Sequence, residues 1–304
     1  MIQVELAGLK LKNPMMNASG VLSVSSATLI EGAKYAGAVV TKSIGKDERP
    51  GNPNPTVVWY EAGVLNAMGL PNPGIHGFIP EIREYLASVK DTPLICSIFA
   101  STPEGFAELA KIAEDAGVHA IELNLSCPHE KGVGMEIGSS PDHVREITSA
   151  VKKVCRVPVF VKLTPNTDNI VKLASAAEDA KADGIVAINT LRAMHIDIWF
   201  RRPVLASGSG IGGLSGPAIL PVGVRCVYEI YEAVDIPVVG AGGVSKWEDA
   251  VEYILAGASA VQVGTALLGG NWQLIPSMCE RIEEYMKKEG INDFKDLVGA
   301  AHKA

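Results

Sequence analysis

A chain of 304 residues, 47% hydrophobic and 20% charged, can bury a large core, and that composition excludes an intrinsically disordered protein. Acidic residues outnumber basic ones, 34 to 27, and the net charge of −7 argues against a general nucleic-acid binder. The five cysteines (Cys96, Cys127, Cys155, Cys226 and Cys279) are odd in number and contain no close pair. This excludes a disulfide framework, a CxxC redox centre and a cysteine-rich zinc or iron–sulfur site, and it points to a reducing, cytoplasmic setting.

The opening stretch MIQVELAGLKLKNP has Glu5 inside its apolar run and no basic head, unlike a signal peptide. Residues 1–13 alternate like a short hairpin turning at Ala7–Gly8, a plug for the bottom of a barrel. From there, short Val/Ile-rich runs alternate with longer amphipathic stretches. Strands are predicted at 14–19, 37–43, 93–99, 120–126, 158–164, 184–190, 236–243 and 260–266. Helices are predicted at 104–116, 141–155, 168–180, 217–234, 246–256 and 272–288. The stretch 253–279 carries no charge, but Gly257, Gly264, Gly269, Gly270 and Pro276 break it, so it reads as a buried strand and not a membrane span.

Near-continuously apolar strands separated by helices imply a parallel sheet covered on both faces, and about eight β/α units favour a TIM (β/α)8 barrel. An open, doubly wound sheet would want a glycine-rich turn directly after the first strand. Here that strand ends in NASG, and the glycine clusters come after the last two. One domain spanning 1–304 is expected. Residues 44–73 and 191–216 exceed what the barrel needs; both leave the C-terminal ends of strands, where barrel active sites are assembled, so they are read as binding loops.

Two glycine motifs, GAGG (240–243) and GT (264–265), sit where the last two strands end and helices begin. Backbone N–H groups there can cradle a phosphate; the alternative is tight-turn glycines without a ligand. Polar residues collect at the same strand ends: Ser19, Lys42, Ser43, Asn124, Cys127, Lys162, Asn189 and Thr190. Lys162, inside VFVKLTP, points into or over the mouth and needs an anionic or electron-rich ligand, or else a structural salt bridge. Cys127, in NLSCPH between Asn124 and His129, reads as a nucleophile, a general base or a buried small hydrophobe.

The motifs NASG (17–20), TKS (41–43), NAMGLPNPG (66–74), NLSCPH (124–129), VKLTPN (161–166), INTLRAMHIDI (188–198), GGLSGPAI (212–219) and GAGG (240–243) occur together in one order. In that order the sequence resembles the dihydroorotate dehydrogenases along essentially its whole length. The resemblance implies a TIM barrel that binds FMN at its mouth and oxidises dihydroorotate to orotate in pyrimidine synthesis. It implies FMN contacts from Ser19, Lys42, Ser43, Asn124, Lys162, Ile188, Gly216, Gly242, Gly243, Gly264 and Thr265. Substrate contacts would come from Lys42, Asn66, Ala67, Met68, Gly69, Leu70, Asn124, Asn189 and Thr190.

Cys127 would be the base that takes the C5 proton while the C6 hydride goes to flavin N5, as in the soluble class 1 enzymes. Lys162 would stabilise negative charge on the flavin N1–C2 edge, and Lys42 would meet the substrate carboxylate. The TLRAMHIDI segment is similar to class 1B. There an FMN subunit, a homodimer within a heterotetramer, passes electrons to NAD through a partner subunit carrying FAD and an iron–sulfur cluster. The fumarate-linked class 1A is the alternative.

Two positions depart from the family pattern. Ser97 stands where class 1B members often have asparagine. His129 stands where many members have asparagine, whereas the related dihydropyrimidine dehydrogenases also carry a CPH sequence, so reductive uracil or thymine chemistry is a further alternative within the fold. Beyond these readings stand a barrel isomerase or lyase acting on a sugar phosphate, and a non-catalytic binding subunit.

Overall fold

Eight short, almost wholly buried runs form the predicted parallel strands: β1 (Met15–Asn17), β2 (Val39–Val40), β3 (Leu94–Ile98), β4 (Ala120–Asn124), β5 (Val159–Leu163), β6 (Gly184–Ala187), β7 (Val238–Ala241) and β8 (Ala258–Val263). The computed structural model describes residues 2–125 and 137–303. The strands hydrogen-bond in the order β1-β8-β7-β6-β5-β4-β3-β2, all parallel, and a parallel bridge from Met16 to Ala38 brings the two ends of the sheet together. At that seam the Asn17 side chain stands in for ladder bonds, donating to Val40 O at 2.8 Å and accepting from Val40 N at 2.9 Å. This is a TIM barrel and not the open, doubly wound sheet.

Helices follow the strands: α1 (Ser26–Ala33), α2 (Gly74–Ser88), α3 (Pro103–Asp115), α4 (Pro141–Lys152), α5 (Ile170–Asp179), α6 (Leu220–Tyr231), α7 (Trp247–Leu255) and α8 (Leu274–Lys288). Their starts carry the expected signals. Thr102 accepts from Gly105 N, Asn169 accepts from Lys172 N, and prolines open α3 and α4. The helices bury one face each (Leu109, Ile147, Leu173, Ile230) against outward-facing strand residues such as Ile121, Val161 and Ile185. A smaller cluster fills the barrel itself with Ile95, Ala120, Phe160, Val186, Val239 and Ala260. The N-terminal hairpin, Val4–Leu6 against Leu9–Leu11, turns at Ala7 and Gly8, both at positive φ, and inserts Leu6 and Leu11 into that cluster as the plug.

Several elements are shorter than predicted. The strand expected over 37–43 is two residues long, because Lys42 and Ser43 turn out into the mouth. The helix expected over 217–234 begins as a 3-10 turn, Pro217–Ile219. The uncharged stretch 253–279 resolves into the end of α7, β8, a 3-10 turn and the start of α8. No helix among the described residues is long and apolar enough to cross a membrane.

The two long excursions are not loops alone. Val57–Tyr60, Gly63–Asn66, Gly212–Ser215 and Leu191–Ala193 make one antiparallel sheet, in which Gly213 faces Asn66 and Leu214 faces both Leu65 and Leu191. The two excursions therefore brace each other over the mouth. Ile196–Asp197 and Arg202–Pro203 pair as a small hairpin whose tip exposes Ile198, Trp199 and Phe200; Trp199 is 85% exposed.

Candidate active site

The chain's polar strand ends converge at the mouth. Asn124, the last residue of β4, donates to Ser43 Oγ at 3.0 Å, and Ser43 Oγ lies 3.1 Å from Ser19 Oγ and 2.9 Å from Ser97 Oγ. Asn189, just past β6, donates to Asn124 Oδ1 at 3.1 Å and accepts from Thr190 N at 2.8 Å. Six predicted or flagged residues thus form one hydrogen-bonded arc. The departure at Ser97 has a structural role here: fully buried, it anchors Ser43.

Thr190 sits against the mouth sheet, where a side chain at Gly213 would come within 2.2 Å of its Oγ1. Gly213 O in turn accepts from Asn66 Nδ2 at 3.3 Å, so Asn66, Gly213 and Thr190 are packed together. Ala67, Met68, Gly69 and Leu70 continue from Asn66 as the rim, with Gly69 and Leu70 both at positive φ. Lys42 is half-buried beside Gly20, and burial holds its ammonium below the usual lysine range. Among the described residues no carboxylate pairs with it. A basic group so placed favours an incoming anion.

The glycine turns also meet. Tyr253 donates to Ala241 O at 3.0 Å and Gly242 O at 2.8 Å, and burial raises its pKa so that it stays a donor. Gly242 and Gly243, at φ 117° and 79°, pack on Ile188, Ile219 and Leu220; a side chain at Gly216 would come within 3.7 Å of Thr265 Oγ1. Among the described residues no acceptor takes the N–H of Gly242, Gly243, Gly264 or Thr265. α7 begins four residues after Gly243, and its Asp249 carboxylate already accepts from Ser245 N and Lys246 N. Any anion at GAGG therefore meets loop N–H groups and not the end of that helix.

Lys162 is buried at 5% exposure inside the barrel. It donates to Gln262 Oε1 at 2.9 Å, Gln262 Nε2 donates to Glu122 Oε2 at 2.8 Å, and Lys162 Nζ lies 3.8 Å from the same carboxylate oxygen. The salt-bridge alternative is thus present in a long form, with an amide interposed. Sequence reasoning missed Glu122, Gln262 and Tyr253. A charged residue in AIELN and an amide in AVQVG, each inside an otherwise apolar strand, were the available signals.

Cys127 and His129 lie outside the described residues. The other four cysteines are buried free thiols; burial pushes Cys155 up to about 11 and Cys96 and Cys279 up to about 12, and it raises Cys226 as well. None of these four is a base at neutral pH.

On this barrel, a polar, lysine-bearing mouth whose backbone donors lack partners among the described residues has the chemistry of an enzyme's active site suited to an anionic small molecule. The family model for dihydroorotate dehydrogenase matches residues 1–286. The chain is 48% identical over 303 residues to the Pyrococcus furiosus dihydroorotate dehydrogenase B (NAD(+)) catalytic subunit, covering 99% of both chains. It is 50% identical over 299 residues to the Methanosarcina mazei protein of the same name (98% of this chain, 94% of the relative), and 44% identical over 305 residues to that of Methanocaldococcus jannaschii (99% and 98%). The chain belongs to the dihydroorotate dehydrogenase family, and it is an oxidoreductase. The sugar-phosphate isomerase and dihydropyrimidine dehydrogenase readings fall away.

Proposed function

We propose that the mouth holds FMN and dihydroorotate together in one FMN-binding unit spanning 1–304, and that electrons leave through a separate subunit. As a dihydroorotate dehydrogenase the chain oxidises dihydroorotate to orotate in pyrimidine synthesis. What carries the cofactor reading is one convergence: unpaired N–H groups at Gly242, Gly243, Gly264 and Thr265 lie at the same barrel end as Lys162 and the Asn124–Ser43 arc. These donors suit a phosphate, and a buried ammonium suits an electron-rich ring edge. Bound FMN supplies the two-electron acceptor for the substrate hydride.

The chain's own residues do the rest. Gly216, Gly242, Gly243, Gly264 and Thr265 hold the phosphate, while Ser19, Ser43, Asn124, Ile188 and Lys162 line the ring. Lys42 binds the substrate carboxylate, and Asn66, Asn124, Asn189 and Thr190 match the donors and acceptors of the pyrimidine. The rim Ala67–Leu70 covers it. Cys127 takes the C5 proton.

The relatives' name, an NAD(+) enzyme's catalytic subunit, supports NAD as acceptor through a partner subunit, which in this reading carries FAD and an iron–sulfur cluster. In this reading the chain forms a homodimer within a heterotetramer. The uncovered apolar hairpin tip at Ile198–Phe200 supports a subunit contact on the mouth side. The free thiols of the four described cysteines support a cytoplasmic setting. The test is the purified protein's colour: yellow, with stoichiometric noncovalent FMN. A colourless preparation that cannot be loaded with FMN sinks the cofactor assignment.

A further inference from the structure

The interior of the barrel, apolar in its lower layer, holds a buried polar chain just beneath the mouth. Glu122 on β4 is fully buried, Gln262 on β8 is nearly so, and both reach Lys162 on β5. Glu122 Oε2 accepts from Gln262 Nε2 at 2.8 Å, Gln262 Oε1 accepts from Lys162 Nζ at 2.9 Å, and the ammonium stays 3.8 Å from the carboxylate, too far for a direct bond. Among the described residues Glu122 Oε1 has no hydrogen-bond partner. A buried, half-satisfied carboxylate costs more than a neutral orphaned group. Packing alone does not explain keeping it, since an apolar residue on β4 would fill the space at lower cost.

The polarity of the chain gives it a use. Gln262 can turn its amide either way, but a carboxylate on one side and an ammonium on the other leave one good orientation, NH2 toward Glu122 and oxygen toward Lys162. Glu122 therefore decides that Lys162 has an acceptor beneath it. The amide takes one N–H of the ammonium, and its two other protons remain for the mouth. The carboxylate also offsets the lysine charge at short range, in a place where screening by water is weak.

We propose that Glu122, acting through Gln262, is a positioning residue that fixes Lys162 toward the flavin site and holds down the reduction potential there by offsetting the lysine charge. This rests on the FMN reading above. Without the negative charge, the uncompensated ammonium favours the more negative, reduced form of the ring. Without the amide, Lys162 is left with Glu122 as its acceptor, is drawn inward, and favours that form less.

The experiment is a spectroelectrochemical titration of the FMN-loaded protein and three variants. Glu122→Gln keeps shape and hydrogen bonding but loses the charge; its reduced-to-oxidised ratio at fixed potential should rise at least tenfold, about 30 mV for a two-electron couple. Glu122→Asp restores the charge and should return to within threefold of the parent. Gln262→Leu should move the opposite way, by threefold or more. A site merely loosened by mutation would not give opposite signs. A flavin-loaded Glu122→Gln within threefold of the parent overturns the relay alone, and so does an Asp variant that shifts as far as the Gln variant. Should Glu122→Gln not fold, Gln262→Leu decides: a downward shift supports the relay, and none or an upward one overturns it. A parent protein that takes up no FMN overturns the cofactor reading, and the relay with it.

Discussion

Asn189 donates its side-chain amide to Asn124 Oδ1 across 3.1 Å, joining the mouths of β6 and β4 although β5 lies between them. Because Asn124 passes a bond on to Ser43, and Asn189 accepts from Thr190 N, the orientation of the Asn189 amide is fixed, and among the described residues its second N–H has no acceptor. A ring lined this way reads donors and acceptors without having to reorganise.

Asn189→Ala should therefore raise the KM for dihydroorotate about tenfold or more, the equivalent of one hydrogen bond of about 1.4 kcal/mol, with FMN content unchanged. Steady-state kinetics alongside the flavin spectrum check this. An unchanged KM removes Asn189 from the substrate site.

Lys42 gives a pH dependence whose sign is fixed. Burial lowers its pKa in the free protein, so the ammonium is present at low pH and lost as pH rises through that lowered value. Orotate binding, read from the perturbed flavin spectrum, should weaken as pH rises through it. A bound carboxylate favours the charged lysine and shifts the loss to higher pH in the complex. Lys42→Met should bind orotate at least a hundredfold more weakly and lose this pH dependence. An identical pH profile in the variant assigns the titration to another group.

The barrel was legible because β3 to β8 are buried on both faces and mostly apolar, a pattern that survives without neighbours in view. Strand ends were overestimated where residues such as Lys42, Ser43 and Asn189 keep β-like sequence but turn toward the mouth. The mouth sheet was not legible: Asn66 and Gly213 are 147 positions apart, in glycine-rich segments with no alternating pattern. Lys162 was found from its apolar flanks. Its partners Gln262 and Glu122, 140 positions apart, could not be paired without the barrel's closure.

For proton transfer the account depends on Cys127. Cys127→Ala should abolish steady-state turnover while leaving the flavin spectrum nearly intact. Cys127→Ser should be slow and recover in part at high pH, because a hydroxyl is a far weaker base. His129, with an ordinary pKa of ~6.5, is the competitor. If His129→Ala abolishes flavin bleaching by dihydroorotate and Cys127→Ala preserves it, the assignment is reversed.

The acceptor is tested by offering NAD, fumarate and an artificial dye separately to the isolated chain after its flavin has been reduced by dihydroorotate. The dye should reoxidise it quickly and NAD only when the partner subunit is added. Rapid reoxidation by NAD with no partner refutes the two-subunit reading, and rapid reoxidation by fumarate points to class 1A.

The central claim, that flavin and dihydroorotate share the polar mouth, is tested most directly by titrating the purified protein with dihydroorotate in the absence of oxygen. The visible flavin band should bleach in proportion to the substrate added, ending near one equivalent per bound FMN, with orotate formed in equal amount. A flavin-loaded protein whose band stays unchanged under excess dihydroorotate would contradict the account.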